Sequence, residues 1–314
     1  MTEKRIGNGM DMIKYVLSKN VYSLNFFEML PRINNIVQEG TPFLLDFSYV
    51  KWIDGNVIPN MLLLGHWLER KTGYIPTIRL GRDFQSGHLK KYLYYINFFY
   101  YADDVYKFED PDERYKGWEG KNMDKENRTL FFSFPYAEIK NEKELPKRKL
   151  ILEKRNYEAR RAIYDILTDF FVYYFSEFNY GSYDEKMNRI LDILSQIVSN
   201  SILRGLSEAY LTVQAVYIKR RILVSASDRG IGMKRGIEYT KTSEYLDKKG
   251  HYSIDKDELD EKEAIVQSMY YRKDSEIYGL YTAINHLLEM DGTIRIHSND
   301  TKIILEKNVN LFNI

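Results

Sequence analysis

The chain contains no cysteine. That absence excludes disulfides, thiolate nucleophiles and cysteine-ligated zinc or iron–sulfur centres. Net charge is also scarce: 46 Lys and Arg against 45 Asp and Glu leave +1, which gives no general pull toward nucleic acid or acidic membrane. No nucleic-acid partner is expected. No apolar run approaches the roughly 18 residues of a membrane span, and the opening "MTEKRIGNGMDMIKYV" is charged and lacks the apolar centre of a signal peptide. The expectation is a cytoplasmic protein without a membrane partner. Histidine is sparse: His66, His88, His251, His286 and His297 are scattered, none at metal-ligand spacing, and His66 with Glu69 reads as a packed or capping residue. There is no Walker phosphate loop, because "GRDFQSGHLKK" lacks both the spacing and the Lys-Ser/Thr pair. No internal repeat is evident.

What is present is a chain of 314 residues with 44% hydrophobic content, enough for two domains with their own cores. The 27 tyrosines, alongside abundant Lys, Ile and Asn, read as coding bias rather than function. "FLLDF" is a short apolar run, "VIPNMLLLGHWLERK" has helical period with Pro59 near its first turn, and "IPTIRL" returns as a strand. This βαβ pattern predicts a small α/β domain over residues 18–105. Residues 106–150 are charged and nearly aperiodic around a short strand, "TLFFSF", and read as a linker or insertion.

A second domain is predicted over residues 151–314. A long amphipathic helix covers "EARRAIYDILTDFFVYYFSEF", and the next, through "YDEKMNRILDILSQIVSNSILRG", carries an apolar face and a stripe of Gln196, Asn200 and Arg204 at i, i+4, i+8. Alternation from Leu211 to Ala226 predicts a hairpin, and "GTIRIHSNDTKIILEK" predicts another, turned by "SND". The segment "SDRGIGM" sets Asp228, Gly230 and Gly232 directly after a strand. Glycines there let the backbone approach a ligand, and a carboxylate can accept a hydrogen bond from an exocyclic amine. A plain strand-ending turn accounts for the same letters.

The order "QIVSNSILRG", "SDRGIGM", "YGLYTAINHLLEMDGTIRIHSN" resembles the N, G1 and G2 boxes of the GHKL ATPase family of histidine kinases, gyrase, mismatch-repair ATPases, heat-shock chaperones and anti-sigma kinases. The resemblance covers about residues 155–314. It implies an α/β (α+β) sandwich, the Bergerat fold, that binds ATP with Mg2+. Asn200 would hold the Mg2+, Asp228 would receive the adenine amino group, and Gly230 and Gly232 would shape the base pocket. Gly279 would bring a helix N-terminus toward the phosphates, where unpaired N–H groups favour anions. Arg204 would approach phosphate or pair with a surface acid, and Thr293 would help line the adenine pocket.

Two departures bear on activity. Gln196 stands where hydrolysing members carry a glutamate, and an amide cannot act as general base on water. In "IYGL", Ile277 replaces one glycine of the "GxGL" pattern. The charged stretch from Lys234 to Tyr278 corresponds to the ATP lid, which would order over nucleotide and present a new surface to a partner. The helix before the N box lacks a phosphoacceptor histidine, which disfavours a sensor kinase but leaves it a candidate for homodimer pairing.

Upstream, "FLLDFSYVKWIDGNVIPNMLLL" resembles the strand, loop and helix of a STAS domain, with Asp46, Ile53 and Asp54 in register. Gly55 occupies the place of the phosphorylatable serine, so the resemblance implies protein contact rather than phosphorylation. The expectation is an ATP-binding regulatory module that switches contact with a protein partner. An active ATPase or serine/threonine kinase, and a scaffold that binds no nucleotide, are the alternatives.

Overall fold

A computed structural model describes residues 2–7, 10–81, 88–109, 129–134, 145–176, 183–203, 208–216, 221–230, 232, 234, 260–270, 272–273, 276–277, 280–298 and 301–305. It is mixed α/β and forms two compact units, one comprising Met1–Ser133 with Tyr210–Ser227, the other Phe134–Ala209 with Asp228–Ile314. Residues 210–227, grouped with 151–314 by their sequence position, thus pack in the first unit.

The first unit is built on a sheet of order β1-β2-β4-β6-β7, formed by Thr2–Gly7, Met10–Val16, Phe43–Asp46, Thr77–Arg79 and Lys107–Phe108. β1 runs antiparallel to β2, and the other neighbours are parallel. All four residues of β4 are buried, which is why "FLLD" is continuously apolar up to its end rather than alternating. Between β4 and β6 runs α2, Ile58–Thr72, with Pro59 in its first turn where no amide donor is needed. The expected βαβ unit is therefore present. A shorter parallel pair, β3 (Asn20–Val21) and β5 (Trp52–Ile53), precedes α1 (Ser23–Ile36) and α2 respectively.

Asp46 ends β4 with its side chain buried, 2.8 Å from the Lys14 ammonium, and accepts the Ser48 N–H at 2.8 Å. Burial alone would raise its pKa. The hydrogen bonds from Lys14 and Ser48 outweigh that, and the net shift is downward.

The tyrosine-rich stretch forms α3 (His88–Tyr95) and α4 (Phe98–Ala102), and its Leu93, Ile96, Phe98 and Ala102 belong to the unit's core. Three further strands, β8 (Thr129–Phe134), β9 (Ala209–Val216) and β10 (Arg221–Asp228), form a sheet in the order β10-β9-β8. Leu211, Val213 and Ala215 are buried as the alternation predicts, but Tyr210 and Thr212 on the other side of β9 are buried too. Tyr210 stacks near His66 of α2 and shares a 3.0 Å hydrogen bond with it.

The second unit is mainly helical. α5, Leu145–Ser176, begins earlier than its amphipathic period suggests, and lays Ala159, Ile163, Leu167 and Phe171 on one buried stripe against α6, Tyr183–Leu203. The described outward positions carry exposed pairs such as Lys154 with Glu158 and Arg161 with Asp165. α7, Glu261–Tyr270, starts at a reciprocal cap in which Glu263 N–H donates to Asp260 and Asp260 N–H to Glu263. α8, Leu280–Glu289, packs on α6 and leads into the antiparallel hairpin β13 (Ile294–Ser298) and β14 (Thr301–Leu305); two short strands, β11 (Arg272–Lys273) and β12 (Glu276–Ile277), precede it. Ile265, Ile284, Ile296 and Leu305 join α7, α8 and this hairpin in one small core.

Gly65 sits at a close contact of α2: a Cβ there would lie 2.3 Å from Val105 Cγ1 and 2.7 Å from the Tyr106 ring. Tyr106 cannot yield easily, because its hydroxyl donates to the Met61 carbonyl at 2.5 Å. Overpacking of this kind costs about 1–3 kcal/mol, while alanine regains up to about 1 kcal/mol of helix propensity. Gly65→Ala is therefore expected to lower stability by on the order of 1–2 kcal/mol in denaturant titration, whereas glycine to alanine elsewhere in a helix stabilises.

Candidate functional site

The polar residues of α6 divide into two sets. Leu191, Leu194, Ser195, Val198 and Ser201 are buried and share a face at i, i+3, i+4, i+7, i+10. Gln196 lies beside that face, half-buried, and Asn200 occupies the last turns of the helix, its side chain outside the described residues. Arg204 lies outside the described residues, as does Gly279.

Ser201 is the residue that meets the strand. Its hydroxyl donates to the carboxylate of Asp228, the last residue of β10, and the Gly230 N–H donates to Asp228 Oδ1 at 2.9 Å. Arg229 fixes the same turn from the other direction, with its N–H on the Glu208 carbonyl and its Nε 3.3 Å from the Glu208 carboxylate. Gly232 has φ +80°, a left-handed conformation that a side chain would strain. α6 and the glycine turn are thus tied together by one carboxylate, through a serine that the stripe of Gln196, Asn200 and Arg204 did not include. The signal for Ser201 was available: a polar residue on the apolar period of α6 needs a partner once buried.

Burial is the largest influence on Asp228 and pushes its pKa up; the bonds from Gly230 and Ser201 pull it down without cancelling that effect. An ionised carboxylate has about four acceptor positions, and the described residues use two of them. The remainder suit a donor such as an exocyclic amine, delivered against a glycine turn that allows close approach. No cluster of three or more metal-ligating His, Asp or Glu occurs among the described residues.

α8 flanks α6 on the same unit. Arg189 bridges Glu185 at 2.7 Å and Glu289 at 2.5 Å. α8 is followed by Asp291 at φ +58°, and the Gly292 N–H closes onto the Leu287 carbonyl at 2.8 Å. Thr293 follows, exposed, at the entrance to β13. No described hydrogen bond joins it to Asp228.

No protein-family model, curated protein or solved structure matches the chain. Among the described residues, no helix is long and apolar enough to cross a membrane.

A carboxylate whose pKa is raised in the folded state favours folding most when protonated. That stabilisation is complete at low pH and is lost as pH rises from the unfolded toward the folded pKa. Charged Asp228 therefore weighs against the fold at neutral pH. Asp228→Asn is expected to melt at an equal or higher temperature than wild type at pH 7, with the difference shrinking toward pH 4 in a series of thermal scans. A markedly lower melting temperature at pH 7 would mean that the carboxylate is a structural brace rather than a binding group.

Proposed function

We propose that the chain is an ATP-binding regulatory protein in which nucleotide at the α6–Asp228 site changes contact with a protein partner. The observation that carries this reading is the Asp228 carboxylate, held by Ser201 and the Gly230 N–H with acceptor capacity left over among the described residues. Adenine would donate its amino group there, and the glycines at 230 and 232 leave room for the base. Asn200 would hold Mg2+, which when bound neutralises charge on the phosphates. Guanine presents an oxygen where adenine presents the amine, so a carboxylate acceptor discriminates against GTP.

Gln196 supports a switch rather than a catalyst, since an amide orients water but takes no proton from it. The resemblance of the three boxes to GHKL ATPases, and of the upstream loop to STAS domains, supports the same reading. α7 falls within the stretch corresponding to the lid.

Calorimetric titration with ATP, with and without Mg2+, tests the proposal. Wild type is expected to bind ATP in preference to GTP. Losing a charged hydrogen bond removes about 1.5–3 kcal/mol, so Asp228→Asn should weaken ATP by about 10- to 100-fold. Asn200→Ala should remove the Mg2+-dependent part of the affinity. Phosphate release by wild type far above that of Asn200→Ala would replace the switch by an active ATPase or kinase. Absence of ATP binding would leave only a scaffold.

A further inference from the structure

Arg229 follows Asp228 directly in the chain, yet its side chain is turned to a different carboxylate. Its Nε stands 3.3 Å from Glu208 Oε2, and its N–H donates to the Glu208 carbonyl at 3.3 Å. Glu208 lies immediately before β9 and Asp228 closes β10, and Ser201, Glu208, Asp228 and Arg229 all belong to the second unit. Among the described residues the donors to Asp228 are the Ser201 hydroxyl and the Gly230 N–H, both uncharged.

This division of partners has a chemical consequence, because Arg229 is within reach of its neighbour. Consecutive Cα atoms are about 3.8 Å apart, and the guanidinium ends a long side chain with five N–H donors. Facing Asp228, it would occupy the remaining acceptor positions as a bidentate, charge-assisted pair. A neutral amino group brings two N–H donors and no charge, and competes poorly with such a pair. The Glu208 carboxylate holds the guanidinium on the other side of the turn. Both partners of that ion pair are partly exposed, 27% for Arg229 and 24% for Glu208, so screening by water keeps its contribution to folding small. The turn keeps its seat through the backbone bond from residue 229 to residue 208, which no side-chain substitution removes.

We propose that Glu208 is a positioning residue of the Asp228 site: its carboxylate sequesters the Arg229 guanidinium and keeps Asp228 open to a neutral donor. This rests on the nucleotide reading of Asp228. It adds to that reading the reason an uncharged amino group finds the carboxylate free although a cation is its neighbour in the chain.

Calorimetric titration of the full chain with a non-hydrolysable ATP analogue and Mg2+ tests the role of Glu208 in Glu208→Gln, Arg229→Gln and the double variant. Glu208→Gln keeps the length of the side chain, releases Arg229 toward Asp228, and is expected to weaken the analogue by about fivefold. Arg229→Gln removes the competitor and should bind the analogue at least as tightly as wild type. The double variant should match Arg229→Gln, because without a guanidinium to hold the Glu208 carboxylate has no further effect on the site. A residue that only braces the turn gives a different pattern: both single variants weaken binding and the double variant recovers nothing. That pattern, or unchanged affinity in Glu208→Gln, overturns the proposal. Weaker binding by Arg229→Gln overturns it whether or not Glu208→Gln folds. In each of these cases the nucleotide reading stands if Asp228→Asn still weakens the analogue, whereas absence of binding to wild type overturns both.

Discussion

The Asp228 carboxylate ties the end of β10 to α6 and to the turn that follows the strand. It closes β10, receives the Gly230 amide, and takes the hydroxyl of Ser201 from α6. A buried charge with two donors is under-served compared with its capacity in water, and its raised pKa records that deficit. Such a group adds little to folding. α8 and its hairpin share the unit with α6, tied by Arg189 to Glu289.

A second constraint governs the first unit. The parallel sheet and α2 place Gly55 at a point where backbone must meet the side chains of β9 without a Cβ between them. A Cβ there would force the ends of the Gln214 and Tyr92 side chains to shift. The polar groups that cover the loop come from alternate residues of β9, Thr212 and Gln214, and from Ser227. Hydroxyls and amides there satisfy backbone groups at the start of α2 that an apolar cover would leave unpaired.

The βαβ unit was legible because its signals are local: a bounded apolar run for β4, helical period with Pro59 in the first turn for α2, and a short return strand. The β13–β14 hairpin was equally plain from alternation, as were β9 and β10, which are neighbours in one sheet. What escaped sequence reading was non-local or two-sided. β1 and β2 lie in a segment that reads as merely charged, and they pair antiparallel. The burial of Tyr210 and Thr212 was hidden because alternation reports one buried face and is silent on a second. At the candidate site, Asp228 and the glycines stood out as letters after a strand. Ser201 did not, because a serine inside an apolar stripe announces only that some partner exists. Asn200's side chain, Arg204 and Gly279 lie outside the described residues, so their roles rest on resemblance.

The most direct measurement is a crystal structure of the full chain with Mg2+ and a non-hydrolysable ATP analogue. The account predicts the adenine amino group donating to Asp228 at about 2.9 Å, against the turn containing Gly230 and Gly232. Nucleotide bound elsewhere, with Asp228 still engaged only by Ser201 and Gly230, would contradict it.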